Sequence, residues 1–217
     1  MHIEQARFNM IEQQIRPWEV LDQGVLSLLA LVKREDFVPP ACRALAFFDT
    51  EVPLPEGQVM LAPKVEARLL QGLNLARHER VLEVGAGSGH MAALLAHQTQ
   101  QVITLEIRPA LAAMAAANLH RAGIVNASVR EADGAHGLAG EAPFDAIVLS
   151  GSVAEVPQAL LDQLKPGGRL IAIVGQEPVM RALLITRVSA TQFKRVELFD
   201  TVAPRLQGFP EPAPFRF

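Results

Sequence analysis

The chain has one cysteine, Cys42, among 217 residues, so it can form no internal disulfide, which matches a reducing compartment. No uninterrupted apolar run approaches the roughly 18 residues of a membrane-spanning helix, and the N-terminus lacks a basic-then-apolar signal pattern. A cytoplasmic location with no membrane partner is therefore expected. Lysines and arginines are scattered, the net charge is −3 and the pI is about 6.1, so no basic stripe marks a nucleic-acid surface. The six histidines show no metal-ligand spacing, and no metal is expected. No His/Asp or Cys/His catalytic arrangement is visible, so no catalytic side chain is predicted. There is no repeat, linker or low-complexity tract. Half of the residues are apolar, ample for one domain with an N-terminal extension.

The stretch around which the rest is organised runs from Val81 to His90. Val81, Leu82 and Val84 read as a short buried strand, Gly85, Gly87 and Gly89 as a turn, and Met91 to His97 as a helix. Strand, glycine turn and helix together bring backbone N–H groups and a helix start close to a ligand. Glycine is needed because a Cβ would block the approach and because such turns use positive φ. The dinucleotide fingerprint places its third glycine where His90 stands, and no lysine follows the glycines as a phosphate-binding loop requires. The pattern Glu83-x-Gly85-x-Gly87-x-Gly89 instead resembles motif I of class I S-adenosylmethionine methyltransferases. That ligand has no pyrophosphate to hold, but its cationic amino-acid tail is matched by an acid at Glu83.

Upstream, Ile3, Phe8, Ile11 and Ile15 are near helical spacing and Pro17 ends the run. Asp22 is placed to cap a second helix through Leu31. Proline-rich loops follow, so residues 1–62 are expected to form a helical cap with a substrate-cleft loop, and residues 63–217 the cofactor domain. A helix is predicted from Val65 to Leu75. Strands are read at Gln101 to Glu106, Ala127 to Glu131, Phe144 to Leu149 and Arg169 to Val174. Helices are read at Pro109 to Ala122 and Val156 to Leu164. This alternation predicts a doubly wound α/β fold with a mostly parallel seven-stranded sheet. Leu183 to Val188 and Arg195 to Val202 have no helix between them and are expected as an antiparallel pair at one edge. Gly208 to Phe217 is expected to run over the surface.

Ligands of such sheets sit beyond the carboxyl ends of the strands. Glu106 ends the second strand, with Ile107 next, and a carboxylate there can accept both hydroxyls of a ribose. Asp133 and Gly134 follow the third strand, where an acid can meet an adenine amine and glycine keeps the loop close; an Asp-Gly turn is the structural alternative. Ser150 ends the fourth strand. Ala86, Ser88 and His90 complete the cofactor set, His90 either lining the pocket or capping the helix. Glu83 is read either as a ligand group or as a structural acid for the turn.

Ala142-Pro143-Phe144-Asp145-Ala146-Ile147 and the run from Val156 to Leu170 closely resemble protein-L-isoaspartate O-methyltransferases. Arg34-Glu35-Asp36-Phe37-Val38-Pro39, Ala46-Phe47-Phe48-Asp49 and Gly57-Gln58 carry the same resemblance. It implies an S-adenosylmethionine-dependent enzyme, with S-adenosylhomocysteine as product, that esterifies the carboxylate of isoaspartyl residues in damaged protein. It also implies that Gln58, Val59, Met60 and Leu61 hold the substrate. Where the family carries Thr-Ile-Ser after its Gly-Gln, this chain reads Val59-Met60-Leu61, without a hydroxyl. Two further readings follow from that departure: another acceptor, such as a small apolar molecule, or a non-catalytic S-adenosylmethionine-binding protein.

Overall fold

A computed structural model describes residues 2–211 of the chain. It begins with α1 (Ile3–Met10), which runs on through a widened turn at Ile11–Ile15 and a tight one at Arg16–Trp18 containing Pro17. The run ends at Glu19, which takes the left-handed conformation (φ 63). In α2 (Gln23–Leu31) the Asp22 carboxylate accepts the N–H of Val25 at 3.1 Å, satisfying a donor that the first helical turn leaves free. Short turns at Arg34–Asp36 and Pro40–Phe47 lead to a two-stranded ribbon, β1 (Val52–Pro53) with β2 (Val59–Met60). Then comes α3 (Pro63–Leu73), which opens on a proline and closes on Asn74 at φ 47.

The main sheet contains β3 (Arg80–Val84), β4 (Gln101–Glu106), β5 (Ala127–Glu131), β6 (Phe144–Val153), β7 (Leu164–Gln176), β8 (Val179–Arg187) and β9 (Phe193–Asp200). Their spatial order is β5-β4-β3-β6-β7-β8-β9. The first five are mutually parallel, and β8 and β9 add antiparallel at the far edge, as the two helix-free tail strands predicted. β3 sits where the chain order reverses. It is paired on one side with β4 and on the other with β6, so a crevice opens beyond its carboxyl end.

Successive side chains of these strands feed two cores, one on each face. Val81, Val102, Val148 and Ile171 join α3, α4 (His90–Gln98), α5 (Pro109–Arg121) and the cap residues in one cluster. Leu82, Ile103, Leu149 and Leu170 join the other, with Phe144, Leu164 and Phe209. Each fully buried leucine or isoleucine stabilises the fold by about 1.5–3 kcal/mol. The faces differ in depth: the second is covered by loops, the chain's tail and α6 (Gln158–Leu161), where a longer helix from Val156 to Leu164 was expected. The helix stops because Gln163 is used elsewhere. Its side-chain amide donates to His136 and Ala159 carbonyls and accepts from Leu138 N–H, and its own carbonyl pairs with Phe144 N–H to start β7.

The tail also departs from expectation. Residues 203–209 return across the sheet's carboxyl end: Ser152 N–H donates to Pro204 O at 2.8 Å and Leu206 N–H to Ser152 O at 2.9 Å. Phe209 is buried. The part of the expected surface tail beyond residue 211 lies outside the described residues. Among the described residues, no helix is long and apolar enough to cross a membrane.

Candidate functional site

The glycine turn follows β3 directly, and all three glycines take positive φ: 92 at Gly85, 50 at Gly87 and 83 at Gly89. Gly89 is the left-handed cap of α4, and a Cβ there would sit 3.1 Å from the Ala115 carbonyl oxygen, so α5 packs directly on it. The turn's N–H groups are largely satisfied within the protein. Gly85 and Ala86 donate to Leu105 O, Gly89 donates to Ala86 O, and Gly87 donates to Glu106 Oε2 at 2.9 Å. The turn therefore offers close backbone approach more than free donors.

A cleft opens against this turn. Gly85 and Gly87 line it, together with Glu106, Ile107, Gly134, Ser150, Gln58 and Val59. Glu106 is buried, and its two oxygens accept the N–H groups of Gly87 and Arg108, which leaves further lone pairs on each for a ligand. Ile107 is exposed beside it, an apolar surface at the strand's end.

Glu83 is fully buried at the root of the turn. The Ser150 hydroxyl donates to its Oε1 at 2.7 Å, while its Oε2 and the Thr104 hydroxyl make no hydrogen bond among the described residues. Burial pushes its carboxyl up to about 8; the Ser150 hydroxyl opposes this, and the negative charges of Glu66 and Glu106 add to it. Burial thus favours the protonated acid at neutral pH.

Several residues singled out from the sequence lie elsewhere. The His90 imidazole turns into the interior, 3.1 Å from Glu66 and edge-on to Phe37, because the first turn of α4 faces the core it shares with the N-terminal residues. Ala86 and Ser88 are buried, and Ser88 O is held by the Asn118 side chain at 2.8 Å. Asp133 is not among the residues lining the cleft; one of its carboxylate oxygens accepts the N–H of Ala135 at 2.9 Å, and the adjoining Gly134 does line the cleft. Met60 and Leu61 are buried in the core that the N-terminal residues share with α3, α4 and the sheet. Met60 points inward because it pairs with buried Val52 in the ribbon, which leaves Gln58 and Val59 on the cleft side.

Two sets of cleft residues escaped the sequence reading. Arg108 lies at the rim and pairs with Glu56 at 2.8 Å, tying the loop before Gln58 to the end of β4. Proximity to Glu106 was its available signal. The tail supplies Arg205, Leu206 and Gln207, with Leu206 seated so close that a Cβ on Gly85 or Gly151 would be 2.8 Å from it. Nothing in the local sequence pattern reveals that return.

A doubly wound sheet with an acid-led glycine turn and a carboxylate ending the neighbouring strand defines a methyltransferase of the nucleoside-binding α/β class. The comparisons narrow this. A model of the protein-L-isoaspartate(D-aspartate) O-methyltransferase family matches residues 5–202, and the chain belongs to that family. It is 40% identical over 194 residues to the protein-L-isoaspartate O-methyltransferase of Koribacter versatilis, covering 89% of this chain and 87% of the relative. It is 37% identical over 208 residues to that of Brucella anthropi, covering 95% of each. Its fold matches a crystal structure described as a protein-L-isoaspartate O-methyltransferase from Plasmodium falciparum in complex with S-adenosyl-L-homocysteine. The TM-score is 0.79 at 23% identity, covering 93% of this chain and 98% of that one.

Proposed function

We propose that the cleft binds S-adenosylmethionine and that the chain methylates the free carboxylate of isoaspartyl residues in protein or peptide. The observation that carries this reading is the meeting of Glu106, the Gln58-Val59 run and Ser150, whose hydroxyl is held by buried Glu83, at one glycine turn, in a chain matched to the family over residues 5–202.

The residues fit that cofactor. Glu83 keeps an unpartnered buried oxygen suited to a cationic amino-acid tail, and Glu106 keeps lone pairs suited to ribose hydroxyls. Ile107 offers an apolar face, and Gly85 and Gly87 allow close approach. When bound, the cofactor supplies a methyl group on a sulfonium and leaves as S-adenosylhomocysteine. A carboxylate acceptor with a pKa near 4 is already ionised at neutral pH, so this chain needs no general base. Its work is alignment and exclusion of water: the cap loop bounds one side of the cleft at Gln58 and Val59, and the tail covers the other at Leu206. The cap, residues 1–62, then forms the acceptor wall, and residues 63–217 the cofactor domain, in a protein working in the cytoplasm.

A second reading rests on one specific observation, the apolar Val59 where a hydroxyl would be expected to meet an isoaspartyl group. It assigns a small apolar acceptor bearing a hydroxyl or carboxyl. The deciding experiment incubates the protein with methyl-labelled S-adenosylmethionine and either an isoaspartyl peptide or its normal aspartyl counterpart. Base-labile label on the isoaspartyl peptide alone is expected. Cofactor binding with no label on either peptide rejects the isoaspartyl reading in favour of the second.

A further inference from the structure

Behind the glycine turn, away from the cleft, three ionisable side chains are almost fully buried: Arg34 at 2% exposure, Glu66 at 4% and His90 at 1%. Glu66 Oε2 accepts from Arg34 Nη1 and lies 3.1 Å from His90 Nδ1. The second terminal nitrogen of Arg34 donates to the carbonyl of Leu61 at 2.6 Å. His90 is the first residue of α4, directly after the left-handed Gly89 that closes the turn. One carboxylate thus joins the backbone of the acceptor run, through Arg34, to the end of the cofactor turn, through His90.

Packing alone does not explain this group. Buried ion clusters are often replaced by apolar side chains of similar volume with no loss of stability, because desolvation offsets most of the attraction. What an apolar filling lacks is a directional bond to one chosen carbonyl. The acceptor run needs such a bond, since its ribbon is only two residues long on each strand. Proximity catalysis is also sensitive to it, a displacement of about 1 Å lowering the rate on the order of 100-fold.

We propose that Glu66 is a positioning residue for methyl transfer: acting through Arg34 and His90, it sets the height of the Val59–Leu61 run relative to the glycine turn. The proposal rests on the reading of the cleft as the transfer site.

Two variants test it, Glu66→Gln and the apolar triple Arg34→Met/Glu66→Leu/His90→Phe, the second chosen to keep the fold if the first does not. In the ligand-free proteins, amide hydrogen exchange is followed in the segment 54–62 and in β3 and β4. S-adenosylhomocysteine affinity is titrated, and kcat and KM are measured with the isoaspartyl peptide. The triple variant is expected to melt near the wild-type temperature and to bind S-adenosylhomocysteine within about threefold of it. Exchange in segment 54–62 should accelerate about tenfold while β3 and β4 keep their rates, and kcat should fall about 10- to 100-fold, in line with the sensitivity of proximity effects. A folded variant with wild-type exchange in that segment overturns the proposal, as does unchanged kcat. Failure of both variants to fold also overturns it, by assigning the network to stability alone. Wild-type protein that binds S-adenosylhomocysteine yet leaves the peptide unmethylated rejects the isoaspartyl reading instead, and the exchange comparison then decides the positioning role.

Discussion

Glu66 lies against Arg34 and His90 on the cap side of the glycine turn; Glu83, equally sealed from water, has a hydroxyl for company and no cation. Burial raises both carboxyls. At Glu66 the charges of His90 and Arg34 outweigh it and hold the group below the usual range, whereas at Glu83 burial prevails and the group rises to about 8. Glu66 thus has its counter-charge within the fold, from Arg34, while Glu83 has none among the described residues. A buried acid without a cation is costly to ionise, which is a reason to expect a cationic ligand rather than an accident of packing.

The same conservative substitution should therefore act in opposite directions at the two sites. Glu66→Gln removes one partner of a buried ion pair and should destabilise the fold by about 3–5 kcal/mol. Glu83→Gln removes no pair and should raise stability at pH 8. The pH dependence follows. Glu83 is neutral when folded and ionised when unfolded between pH 4.5 and about 8, so its contribution is lost as pH rises, at about 1.4 kcal/mol per pH unit. The Glu66 contribution runs the other way, present above pH 4.5 and lost as pH falls through its lowered value. Urea unfolding of wild type and both variants from pH 4 to 9 reads the Glu83 arm, and extending the scan to about pH 2 reads the Glu66 arm; a shared sign for the two substitutions would erase the contrast.

A smaller effect sharpens it. Bringing a cation to Glu83 should ionise it, so cofactor binding releases a proton below pH 8, and affinity should rise with pH up to about tenfold per unit. Calorimetry in buffers of different ionisation enthalpy measures the proton directly, and Glu83→Gln should abolish the buffer dependence. The smallest effect belongs to the rim. The Arg108–Glu56 pair is partly exposed, so Arg108→Ala should cost at most about 1 kcal/mol of stability. It should still hasten cofactor release, seen by stopped-flow displacement, because it unties the cap loop from β4.

Much of the fold was legible because its signals are local. The runs at Gln101–Glu106 and Ala127–Glu131 carry the strand pattern, and both strands have those limits in the structure. Asp22 caps its helix as its residue type predicts, and the alternating glycines take the positive φ that only glycine adopts freely. The site was legible where a residue's role depends on its place at a strand end, as for Glu106, Ile107 and Ser150, which line the cleft. It was not legible where direction depends on a distant partner. His90 turns inward because Glu66, 24 positions away, is there to meet it, and Met60 does so because Val52 pairs with it. The wall formed by Leu206 depends on Ser152, far back in the chain, accepting the tail into register.

Sequence alone determined the class of the sheet, the strand from which the turn springs and the acids placed at its ends. These follow from periodicity, glycine geometry and residue chemistry within a few positions. Tertiary structure decided which of those acids is neutral, which side chains face the cleft and what closes it. Charge state and exposure are set by neighbours brought together across the chain, here Arg34, Glu66 and His90 behind the turn and Leu206 over it.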